Sequence, residues 1–273
     1  MSFYVPPTRY RRRRGRGAWA VLGVSMILTM GLLVWWVQGS EPTLYVTDSD
    51  GVWRPRVSDQ ALPEGAGAGS TRILDEQIAG EGGAVQFIRM QEDGQRPVTF
   101  DPCAKIKVEV NYDTAPENGR ELTENAIAEV QELTALKFEI IGETDRDVSF
   151  GRDLHLGQPV RISWTDSRRQ PSLEGDVLGM AGAVPVSMGV SGTWFLTGQV
   201  ALDGPDLRRM PDKRVSAVIK HELAHLVGLD HVDDRNELMY PTLGRRTEFG
   251  VGDRRGLAEL GAGGCMTTRT YSD

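Results

Sequence analysis

Hydrophobic and polar residues alternate in several ways along this chain of 273 residues, and the sharpest change comes early. Residues 18–37 form a nearly unbroken apolar run, with Ser25 and Thr29 its only hydroxyl-bearing positions. Twenty such residues match the length a helix needs to cross a bilayer. Both hydroxyls can bond back to helix backbone, and Trp35 and Trp36 close the run where amphipathic rings favour a membrane interface. The pattern predicts one transmembrane signal-anchor helix over 18–37. Residues 38–96 are polar, include the low-complexity stretch at 63–70 and show no sustained apolar period, so they read as a stalk or pro-like segment. A short strand at 84–88, a turn at Asp93-Gly94 and a strand at 98–100 are expected near its end and just beyond it.

From residue 97 the pattern becomes that of a packed domain. Ile106, Val108 and Val110 are spaced by Lys107 and Glu109, the period of a half-buried strand. Leu122, Ala126, Val130 and Leu133 recur at helical spacing after Asn118 and Gly119. Strands follow at 138–141 and at 160–164, where Val160, Ile162 and Trp164 alternate with Arg161 and Ser163. Weaker strand signals occupy 178–186 and 199–202, and Val215, Ile219 and Leu226 make the apolar stripe of a helix over 212–227. Strand, helix, strands, helix is the order of an α+β fold with a mixed sheet. The domain is expected over 97–265, followed by a tail at 266–273.

Charge sharpens this division. Residues 1–17 carry six arginines and no acid, which beside an apolar span reads as a basic cytoplasmic tail that places the rest of the chain outside the cytoplasm. The rival reading is secretion after signal cleavage near Gly39, although signal h-regions usually run only about 7–15 residues. Without those six arginines, 25 basic residues face 38 acidic ones, a net charge near −13. Phosphate backbones would repel such a domain, so nucleic acid is not an expected partner. The two cysteines, Cys103 and Cys265, are expected to pair as one disulfide in an oxidising compartment.

The chemistry concentrates in residues 221–231. His221, Glu222, His225, Gly228 and His231 spell H-E-x-x-H-x-x-G-x-x-H. Four residues apart on a helix, His221 and His225 share a face and can bind one ion. Gly228 tolerates a left-handed turn that would bring His231 back as a third ligand. Three imidazoles leave the open position of a catalytic zinc, with Glu222 placed as general base toward a water. Hydrolysis of peptide bonds in extracytoplasmic proteins is the expected activity. Two alternatives stay open: a zinc-stabilised surface binding module that cleaves nothing, and a zinc hydrolase of a non-peptide substrate. Glu222 weighs against the first, since a structural site gains nothing from a base beside an open position.

With Met239 in Leu238-Met239-Tyr240-Pro241, the run Ile106 to Asn111, Ala115-Pro116 and Leu136-Lys137-Phe138, the chain resembles the matrixins, a branch of the metzincins. The resemblance implies a zincin catalytic domain with a mixed twisted sheet, an active-site helix and a closing C-terminal helix at 253–260. It implies that Met239 floors the zinc site, that a strand near 178–186 borders the cleft and pairs with extended substrate, and that the segment after Pro241 walls a specificity pocket. Matrixins also hold a structural zinc with histidines ahead of the active-site helix. Here only His155 stands in that region, with Met180 and Ala201 about where two ligands belong, so one zinc per chain is expected. Pro102-Cys103 faintly echoes the family's latency motif, so a zinc-blocking thiol competes with the disulfide. Val232 stands where matrixins commonly have serine after the third ligand. Asp203 or Asp206 are candidate calcium ligands.

Overall fold

The computed structural model describes residues 71–150, 156–188 and 191–267 with their side chains, and the backbone of three short strands nearer the amino terminus. Those are β1 (Thr8–Arg12), β2 (Tyr45–Thr47) and β3 (Trp53–Pro55). The apolar run at 18–37 and His155 lie outside the described residues. Among the described ones, no helix is long and apolar enough to cross a membrane.

The expected α+β order is present. After β4 (Thr99–Phe100) come β5 (Ile106–Asn111), helix α1 (Gly119–Thr134), β6 (Phe138–Glu143), β7 (Val160–Thr165), β8 (Val177–Ser187) and β9 (Thr193–Asp203). A short helix α2 (Gly204–Leu207), the long helix α3 (Asp212–Val227), β10 (Thr242–Leu243) and α4 (Val251–Gly261) complete it. The sheet is mixed. β6, β5, β7 and β9 run parallel, β8 returns antiparallel to β9, and β4 adds a short parallel pair on β9. Strand β7 is buried along its whole length, with Val160, Ile162 and Trp164 on one face and Arg161, Ser163 and Thr165 on the other. α1 and α3 pack on one another, and α3 lies against β8 and β9. Trp164 is fully buried and donates its indole N–H to Thr123 Oγ1 at 3.1 Å, joining the central strand to α1.

Two differences from the sequence expectation bear on the site. Residues 84–88 form a single bridge, Phe87 to Leu229, and no ladder. That segment, read from sequence as the end of the stalk, packs on the core, with Ile88 N–H donating to Gly228 O at 2.9 Å and Asp230 N–H to Gln86 O at 2.8 Å. Alternation is absent there because its backbone serves the loop after α3 and no neighbouring strand. The second difference is β1. Three arginines in five residues gave no strand signal, yet β1 pairs antiparallel with β8 and parallel with β10. An open sheet edge offers unpaired N–H and C=O groups to any extended chain, whatever its side chains.

Cys103 and Cys265 are disulfide-bonded, with Cα atoms 5.3 Å apart across 162 residues of sequence. Asp101 Oδ1 accepts from Cys103 N–H at 2.9 Å and from Met266 N–H at 3.2 Å, binding the same two ends. Reduction should raise the intact mass by two hydrogens. Cys265→Ser should lower stability by up to about 5 kcal/mol in denaturant titration, because the closed loop is long.

Candidate metal centre and its cleft

Helix α3 is apolar on the face it turns to the sheet, and its second half, from Val218 to Val227, is buried throughout. His221 and His225 are therefore carried inside the protein, one turn apart. The helix ends at Gly228, with φ of 128°, a conformation that side-chain-bearing residues rarely adopt. A Cβ at Gly228 would also stand 2.8 Å from Leu260 Cδ2 and 3.1 Å from Val98 O. This turn brings His231 back toward the helix.

Carbonyls fix the ring orientations. His221 Nδ1 lies 2.8 Å from Leu238 O and His225 Nδ1 2.7 Å from Leu229 O. A carbonyl only accepts, so each Nδ1 carries the hydrogen and each Nε2 presents a lone pair. Those lone pairs meet His231 Nε2 at 3.2 and 3.1 Å. A hydrogen on His231 Nε2 would satisfy only one of its two neighbours. A cation satisfies all three, and tetrahedral zinc with Zn–N bonds near 2.0–2.1 Å sets its ligand nitrogens about 3.3 Å apart. The three histidines are the one His/Cys/Asp/Glu group among the described residues with metal-holding geometry. Burial holds His221 and His225 well below the ordinary imidazole range, with histidine neighbours adding to it, so both are neutral donors.

Glu222 is fully buried and neither carboxylate oxygen has a hydrogen-bond partner. Burial pushes its pKa well above the usual carboxylate range. Across from it is Gly179 of β8: a Cβ there would lie 2.8 Å from Glu222 Cγ and 3.0 Å from Oε1. The strand bordering the cleft thus leaves a side-chain-free window in front of the carboxylate. β1 crosses that window, with Tyr10 paired to Gly179, and it lies against α3 as well.

Two carboxylates tie the chain beyond His231. Asp253 in the first turn of α4 accepts from Leu238 N–H, from Met239 N–H at 3.3 Å and from Gly250 N–H at 2.8 Å. Glu237 returns the tie, accepting from Gly252 and Asp253 N–H, each at 3.0 Å. Met239 is buried, and its carbonyl accepts from Val232 N–H at 3.1 Å. Val232 itself joins the main core. Lys220, also buried, bridges Glu129 at 3.1 Å and Glu248 at 2.7 Å, clamping the loop after β10 to α3 and α1.

The sequence of this domain, compared with family profiles, matches Matrixin (Peptidase M10) over residues 105–260. The chain belongs to the matrixins. No curated protein matches it closely enough to compare. Membership brings the coarse expectation of a zinc-dependent peptidase, and the three-histidine group fits it. Met180 and Ala201, the two positions weighed against a structural zinc, pair across β8 and β9 and are buried with Val148, Leu173 and Val177. The two aspartates considered for calcium have contacts of their own: Asp203 caps α2 by accepting from Asp206 N–H at 3.1 Å, and Asp206 pairs with Arg209. Gly179, Lys220 and Asp253 carry no motif signal and are seen only in three dimensions.

Burial, opposed by the amides of Gly250 and Leu238, raises the Asp253 pKa from 3.8 to about 6. The folded protein thus holds this proton more tightly than the unfolded chain. Its stabilising contribution is complete below pH 4 and is lost as pH rises through 6, by about 3 kcal/mol at most. Urea midpoints between pH 4 and 7 should show this slope in the wild type and not in Asp253→Asn.

Proposed function

We propose that this matrixin is a zinc-dependent endopeptidase that hydrolyses peptide bonds of extracytoplasmic proteins. The observation that carries the reading is a buried, unpartnered Glu222 carboxylate beside three convergent imidazoles, facing a cleft wide enough for one extended strand. His221, His225 and His231 would hold the ion, with Met239 beneath them. Bound there, zinc supplies Lewis acidity, polarising a carbonyl and making a water more acidic. Glu222 takes the proton of that water as its oxygen bonds to the peptide carbon, and passes it to the amine when the C–N bond breaks. A buried glutamate with a raised proton affinity suits both halves of this transfer. Leu238 O and Leu229 O keep the two helix histidines in the tautomer that donates through Nε2.

The pairing of β1 supports a reading of how substrate would lie. A segment seated between β8 and β10 exchanges backbone hydrogen bonds with both rims and presents one peptide unit to Glu222. Residues 18–37 would serve as a membrane anchor with the catalytic domain outside the cytoplasm, and a segment of a substrate protein would take the seat that β1 occupies.

Glu222→Gln should lower peptide cleavage by about 100- to 10,000-fold, read by mass spectrometry of a peptide library, while metal analysis still finds one zinc per chain. Cleavage that survives this change would rule out the assigned base. Gly179→Ala places a methyl against Glu222 and should cut kcat at least tenfold with zinc content unaltered. A chelator should lower the thermal midpoint, and added zinc should restore it.

A further inference from the structure

We infer that the cleft selects an acidic side chain at the substrate residue just after the scissile bond, through a pocket built from Arg235, Arg245 and Arg246. The inference rests on the endopeptidase reading above and specifies what that site accepts.

The register of β1 supplies the coordinates. The residue at the Tyr10 position pairs with Gly179, the window onto Glu222, and the next residue, at the Arg11 position, pairs with Thr242 of β10. The peptide bond presented to Glu222 is thus the one between those two positions, and the residue following it stands at Thr242. Thr242 is also part of the rim of a cavity of about 190 Å³ that begins at Leu238, whose carbonyl orients His221. The three arginines line that cavity.

Their charge is not cancelled. Arg246 is half-buried and Arg235 and Arg245 are exposed, and among the described residues none has a carboxylate within ion-pair distance. Arg235 instead lies over the Tyr240 ring, 5.4 Å from its centroid. The cavity's one acid, Glu237, is buried with both oxygens committed to the amides of Gly252 and Asp253. Glu248 of the same loop is taken by Lys220. The walls are held in place, since Arg214 Nη1 donates to Gly244 O at 2.7 Å and Lys220 clamps the loop beyond. In a chain whose residues beyond the basic tail carry a net charge near −13, three arginines without a carboxylate partner line the cavity that Thr242 rims. A carboxylate entering there gains charge-assisted, geometrically matched hydrogen bonds, whereas an arginine meets like charge.

The full-length zinc-loaded protein in detergent should be given quenched fluorescent peptides on one neutral frame, with Glu, Gln, Leu or Arg after the scissile bond. We expect kcat/KM for Glu to exceed that for the isosteric Gln about tenfold and that for Arg by more, with the preference shrinking at high salt. The double variant Arg245→Glu, Arg246→Glu should reverse the order. Anisotropy of the same peptides on the Glu222→Gln protein gives a second readout that needs no turnover. Equal or better use of Gln or Leu, with equal binding, overturns the inference. Binding that favours Glu while no peptide is cleaved upholds the pocket and sinks the endopeptidase reading. Absence of both cleavage and binding preference sinks both.

Discussion

The centre of this protein depends on keeping three imidazole lone pairs aimed at one point, separated by little more than 3 Å. Nothing in a protein interior favours that arrangement without a cation, so it has to be imposed from outside. Two backbone carbonyls impose it by binding the opposite ring nitrogens. Those carbonyls belong to Leu229, just past the glycine turn, and Leu238, in the turn before Met239. Both neighbourhoods are themselves held: Phe87 and Ile88 bind the first, and Asp253 of the closing helix binds the second. The three nitrogens are fixed by contacts spread from residue 87 to residue 253, across much of the domain.

The second constraint is spatial. Glu222 projects toward the bordering strand and needs an open face, which a glycine at 179 supplies. The outer edge of the same strand is paired by β1, whose register shifts between Tyr10 and Arg11. On the proposed reading, strand edge, glycine window and pocket loop would act as one device: backbone pairing would set where a chain lies, the window which peptide unit meets the carboxylate, and the arginines would bear on the side chain beside it.

Much of this was legible in the residues. The period-two run at Ile106, the stripe in α3 and the eleven-residue histidine pattern report burial or chemistry directly, and the structure places those elements where the patterns predict. The longer reach of β9, beginning at Thr193, was hidden because Gly198 and Thr197 break the alternation while pairing to β8. Asp253, Glu237 and Lys220 were illegible for a different reason. Each is a charged residue in sequence, ordinarily read as solvated, and becomes structural only when a distant backbone amide or carboxylate is folded against it. The apolar cluster around Met180 was half legible: Met180 and Ala201 could be named, but not the Val148, Leu173 and Val177 side chains packed with them.

On the endopeptidase reading, the link between Cys103 and Cys265 has a consequence of its own. Almost every loop of the domain lies between those two cysteines. A single nick in any of them, made by a neighbouring copy, leaves both fragments covalently joined and the sheet between them still assembled. The damaged molecule does not shed a piece, and its histidines stay within one connected body. Under that reading, crowded copies would survive one cut from one another without falling apart.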